Sequence, residues 1–124
     1  VPRVAAGFNV CNLAAMRSCP REVVSTFKRL TNMSPGEIRA WAKDSRAKRA
    51  SFESTRRRLP ALAALAEKVR AGKPLSAKDC AYARRVNSFN TRMTGMQRKW
   101  GCTDKLVVAL RNWGHQPKAC KVPR

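Results

Sequence analysis

The chain has 124 residues, with 27 Lys and Arg against 7 Asp and Glu and a formal net charge of +20 at neutral pH. That length predicts one domain, able to bury roughly two-thirds of its unfolded surface, and a hydrophobic fraction of 44% excludes a wholly disordered basic tail. The apolar stretches near Ala5 and Leu62 are short and flanked by Arg, far from the ~20 residues of a membrane span, so no membrane partner is expected.

In chain order, Phe8 to Met16 carries small and apolar residues at helical spacing. Pro20 then opens a second helix through Leu30, with Val23, Val24, Phe27 and Leu30 on one face. The clearest start signal is Ser34-Pro35-Gly36-Glu37: Ser caps, Pro takes the first helical position, and Glu reaches back to the cap N–H. Ile38, Trp41 and Ala42 of this helix are expected to face the core. Asp44 to Arg58 is polar and Arg-rich, and Pro60 separates it from the run Leu62, Leu65, Val69 that ends at Gly72.

Ser76 and Asp79 cap what should be the longest helix. Tyr82, Val86, Phe89, Met93, Met96 and Trp100 recur at spacings of four and three and predict a continuous apolar seam, with Arg85, Arg92 and Lys99 on the opposite face. Gly101 stops this helix, Thr103-Asp104 starts another, and Gly114 ends it. With no β-branched alternation, the expected fold is all-α. It is a small single-domain bundle of about five helices over residues 1–124, with a compact core from about residue 20 to 117 and irregular termini.

The acids leave little room for catalysis. Glu22, Glu37, Asp79 and Asp104 fall in first helical turns, where a carboxylate complements the helix dipole, and Asp44, Glu53 and Glu67 stand alone among basic residues. No nucleotide-loop, nucleophile-elbow or zinc-protease motif occurs, so neither enzymatic activity, nor a cofactor, nor a small-molecule substrate is expected. His115 could join Cys102 and Cys120 as a zinc ligand or partner a cysteine nucleophile. The simpler expectation is that the cysteines are small core residues, that His115 helps end the last helix, and that no metal binds. Five cysteines, odd in number and widely spread, favour a reducing compartment, with a disulfide in a particle or organelle as the alternative. Val1 in place of Met predicts a processed or truncated product.

Met96 to Trp113 has the form of a helix-turn-helix, with Gly101 in the turn. Its reading face would hold Thr103, Asp104, Lys105, Val108, Ala109 and Asn112, which is thin in base-reading side chains. Basic residues thicken between Arg39 and Arg58, where eight of the 27 lie and only Asp44 and Glu53 interrupt them. Excess Arg suits bidentate phosphate contact. A single-strand stacking platform is disfavoured, because only 6% of residues are aromatic and the apolar seams claim most of them.

Two segments, Phe27 to Ile38 (FKRLTNMSPGEI) through Trp41 and Asn112 to Pro117 (NWGHQP), carry a family likeness together with Arg56-Arg57-Arg58 and the helix from Ala77 to Phe89. Over roughly Phe27 to Pro117 the chain resembles an uncharacterised family of small bacterial and fungal helical proteins, some labelled DNA-binding. The resemblance implies that Trp41, Trp113 and His115 share a helical core, favours DNA binding, and supplies no catalytic residue.

The expected function is nucleic-acid binding, DNA favoured over RNA, through phosphates and with little sequence preference. The expected contacts are Arg46, Lys48, Arg49, Arg56, Arg57, Arg58, Arg85, Arg92, Lys99, Lys105 and Arg111. The alternative is a structural component of a large nucleoprotein particle, a virion protein or an organellar ribosomal protein, with other proteins of that assembly as partners. Either reading favours an intracellular nucleoprotein or a virion over a secreted protein.

Overall fold

Two capping boxes set the frame of the chain. The Ser34 hydroxyl accepts from the Glu37 N–H at 3.1 Å while the Glu37 carboxylate accepts from the Ser34 N–H at 2.8 Å, and Ser76 and Asp79 repeat the exchange. The structure, a computed structural model, describes residues 19–50 and 53–124. The helix expected over Phe8 to Met16 lies outside the described residues.

Among the described residues, six α-helices and one 3-10 turn follow in order: α1 (Arg21–Leu30), α2 (Pro35–Ala42), the 3-10 turn (Ser45–Arg49), α3 (Glu53–Arg57), α4 (Leu59–Arg70), α5 (Ala77–Trp100) and α6 (Asp104–Arg111). Among the described residues the fold is all-α, a small single helical domain. None of these helices is long and apolar enough to cross a membrane. Pro20 caps α1 rather than opening it, and Pro60 sits in the first turn of α4, dividing it from α3.

The core lies between α2, α4, α1 and α5. Phe27, Met33, Ile38, Trp41, Leu59, Leu62, Leu65, Val69, Val86 and Val108 form one buried cluster, each large side chain contributing about 1.5–3 kcal/mol of burial. α1 runs alongside α5 in the same direction: Cys19 is disulfide-bonded to Cys80, and further along the Val23 carbonyl accepts from the Asn87 amide at 3.0 Å. Gly114 closes the fold with φ +82°, and a Cβ there would stand 2.8 Å from Thr31 Cγ2 and 3.2 Å from Leu62 Cδ2, so only glycine fits.

The seam expected on α5 is half right. Val86 is buried and Tyr82, Phe89 and Met93 are half-buried, but Met96 and Trp100 are 45% and 63% exposed. The buried stripe is instead Cys80, Ala83, Val86, Asn87, Asn90 and Thr94. Small side chains allow close approach of α1, and the two amide N–H groups donate to backbone carbonyls, Asn87 to Val23 and Asn90 to Trp113, both at 3.0 Å, while the two side-chain oxygens meet no partner among the described residues.

Four of the five cysteines are paired, Cys19–Cys80 and Cys102–Cys120, correcting the expectation of unpaired core thiols. A reducing compartment thereby loses its basis, because stable pairs are a feature of oxidising surroundings. The second pair fastens the C-terminal segment. There Gln116 Nε2 donates to the Cys120 carbonyl at 2.8 Å, Arg46 donates to the Pro123 carbonyl and Arg49 to the Arg124 carbonyl, so the segment beyond Pro117 is irregular yet held on the body.

Candidate nucleic-acid interface

The short helix α3 carries Arg56 and Arg57, and Arg58 follows it directly, so the triplet projects around a single turn of chain. On one flank a shallow groove of about 520 Å³ is lined by Arg39 from α2 and Lys43 that caps its end, Arg56 and Arg57 from α3, with Ala42 and Pro60 as an apolar floor and Glu53 as the one acid lining it. On the other flank Arg58 meets Arg85 and Tyr82 of α5 and Thr55 around a much smaller cleft. Tyr82 is bound to the ridge through its hydroxyl, which donates to the Arg58 carbonyl at 3.5 Å, and burial raises its phenol above the ordinary value. The result is a ridge of three arginines with cations on both sides.

Arg57 on the ridge is weakly neutralised. Glu53 lies 3.9 Å from Arg57 with both side chains 74% exposed, a pair worth little in water. Four of the other acids are engaged, one of them by a cation of the groove itself. Glu67 pairs with Arg39, and Asp79 pairs with Lys68 at 2.8 Å, a contact that together with the Ser76 cap holds its carboxyl below the usual range. Asp44 caps the 3-10 turn and binds the Arg46 guanidinium, which pushes its pKa down to about 2. Glu37 is lowered by the Ser34 N–H.

The expected contact residues divide into groups. Arg56, Arg57, Arg58 and Arg85 come together on the ridge, joined by Arg39 and Lys43, whose place in the groove follows from α2 packing on α4. Lys48 is exposed on the 3-10 turn. Arg46 and Arg49 are engaged by the C-terminal carbonyls, and Arg46 also lies over Trp41 at 5.3 Å. Arg92 and Lys99 are exposed but roughly 10 and 21 Å along α5 from Arg85, by the 1.5 Å helical rise, and Lys105 is exposed at the start of α6.

Arg111 is a correction. It is 8% exposed, its guanidinium lies 4.3 Å from the Trp41 ring centroid, and it donates to Gln116 Oε1 at 2.7 Å; burial lowers its pKa. A side chain so enclosed packs the core and cannot meet a phosphate.

The helix-turn-helix expectation also changes. The hairpin forms: α5 ends at Gly101 with φ +87°, and Thr103 caps α6 by accepting from the Leu106 N–H. Its supposed reading face is turned inward, with Val108 at 0%, Asn112 at 2% and Ala109 at 8% exposure, leaving Thr103, Asp104 and Lys105 outside. α6 packs on α5 and the 3-10 turn, and that packing consumes the face a major groove would need. The set His115, Cys102 and Cys120 is likewise spent, since the two sulfurs are bonded to each other and the imidazole Nδ1 meets the Leu30 carbonyl.

A second basic surface was not legible in the sequence. Arg29 at the end of α1, Arg98 on α5 and Lys118 in the C-terminal segment line a groove of about 400 Å³ with Asn32, Thr91, Gln97 and His115, and no acid lines it. These cations are 20 to 89 positions apart in the chain, so no local charge run announces them. No family model, curated protein or solved structure matches the chain.

Proposed function

We propose that the protein binds nucleic acid, DNA before RNA, through phosphate contacts made by the Arg56–Arg58 ridge and its flanks, in a binding rather than a catalytic role. The observation that carries this is the convergence of Arg39, Lys43, Arg56, Arg57, Arg58 and Arg85 from three helices and the residues that cap them, around two acids, Glu53 and the Arg39 partner Glu67. With a net charge of +20, a polyanion is the partner that relieves self-repulsion. The inward turn of α6 removes the element that would read bases in the major groove, which favours binding with little sequence preference.

Salt dependence tests the reading. With about five phosphates neutralised, affinity for a duplex should fall about 10²- to 10³-fold between 50 and 200 mM salt. Replacing Arg57, Arg58 and Arg85 together by Gln should reduce the slope of log affinity against log salt by about 2 to 3. A salt-independent affinity rejects the proposal.

The cysteine pairs favour a second reading, a structural part of a nucleoprotein particle that matures outside a reducing cytosol. In such a particle, irregular termini are expected to be ordered by neighbouring molecules. The C-terminal segment is instead held by Cys102, Arg46 and Arg49 of its own chain, and limited proteolysis that spares it counts against the particle role.

A further inference from the structure

Of the three tryptophans, Trp41 is 2% exposed in the core and Trp113 stacks on Phe89 with centroids 4.6 Å apart, whereas Trp100 is 63% exposed at the end of α5. Met96, one turn earlier on the same face, is 45% exposed. At about 100° per residue Arg92 and Lys99 do not lie opposite the Met96–Trp100 face, as the sequence reading expected, but beside this apolar patch on one side, with Gln97, three residues before Trp100, on the other. Gln97 belongs to the acid-free groove of Arg29, Arg98 and Lys118. The indole therefore stands between two sets of cations, and the Lys99 ammonium already lies 5.3 Å from its ring centroid.

We propose that Trp100 is a stacking platform for an unpaired nucleobase, with the strand's phosphates in the groove of Arg29, Arg98 and Lys118. This rests on the nucleic-acid reading above and assigns a single strand to a surface about 20 Å along α5 from the arginine ridge. Charge selects the occupant. A second copy would bring another +20 against this face, whereas a nucleotide offers a π-face for the indole and a phosphate for the cations around it. A base stacked on Trp100 takes the place of the Lys99 ammonium, which then turns to the phosphate of the same nucleotide.

Trp100→Ala tests this, and the exposure of the side chain makes the variant safe for folding. Both proteins are titrated with a short oligothymidylate and with a duplex of equal length, following intrinsic fluorescence and the anisotropy of labelled DNA. The wild type should show quenched emission on binding oligothymidylate, the variant should bind it about 10- to 100-fold more weakly, and duplex affinity should change less than about twofold. Equal oligothymidylate affinities with duplex binding intact overturn the stacking site alone. Failure of the wild type to bind either polymer overturns the nucleic-acid reading and this site with it. Self-association in sedimentation that Trp100→Ala abolishes reassigns the face to a second copy.

Discussion

The indole N–H of Trp41 donates to the side-chain carbonyl of Asn112 at 2.8 Å, joining α2 to the end of α6 across 71 residues. The same Asn112 amide donates to the Ala47 carbonyl at 2.9 Å, so one buried side chain ties α2, the 3-10 turn and α6 together. Replacing Asn112 by Ala leaves a buried N–H and a buried carbonyl without those partners, each costing about 1–3 kcal/mol. The expected loss of stability is about 3 kcal/mol or more, measured by urea unfolding. Trp41→Tyr would not substitute for the indole, since its hydroxyl sits elsewhere on the ring.

Arg111 separates total charge from placed charge. Its guanidinium is sandwiched against Trp41 and hydrogen-bonded to Gln116, so Arg111→Met should leave duplex affinity within about twofold of wild type. Arg58→Gln removes the same formal charge from the exposed ridge and should weaken binding several-fold at the same salt, about one phosphate contact's share. Equal losses from the two variants would mean that affinity follows net charge and owes nothing to the ridge.

Local signals were legible in the sequence and long-range ones were not. The boxes at Ser34 and Ser76 and the stops at Gly101 and Gly114 depend on residues within one or two turns, and each stands where the sequence places it. The phase of α5 was missed because a four-three spacing of large apolar residues outweighs amides in any sequence reading. Asn87 and Asn90 occupy the buried stripe only because carbonyls of Val23 and Trp113 meet them, 64 and 23 residues away. Arg111 was misplaced for the same reason: its aromatic partner is remote in sequence. The Arg56–Arg58 run was readable as charge, but its union with Arg85 needed α3 and α5 to be packed.

The disulfides make a prediction about the C-terminal segment. In the chain-entropy account, sequence separations of 61 and 18 residues contribute about 4 and about 3 kcal/mol. Reduction should therefore lower the melting temperature markedly, and alkylation of the reduced, unfolded chain should add four more groups than alkylation without reductant. Replacing Cys102 and Cys120 by Ser should expose Lys118 and Lys121 to trypsin while the helical body remains protected. Undiminished resistance at those lysines would show that Arg46 and Arg49 suffice to hold the segment.

The half-buried His115 gives the fold a pH dependence of defined sign. Burial lowers its pKa below 6.5, outweighing the contact with the Leu30 carbonyl, to which neutral Nδ1–H donates. The unfolded chain then binds the proton more readily than the folded one. Stability is complete above the unfolded value of about 6.5 and declines as pH falls below it, until the folded imidazole also titrates. Asp44, lowered to about 2, adds a separate loss that begins only below about pH 4. Urea midpoints measured from pH 7.5 down to pH 5 should fall for the wild type. His115→Asn, whose amide can donate to the same carbonyl without titrating, should flatten that interval and leave the loss below pH 4 in place.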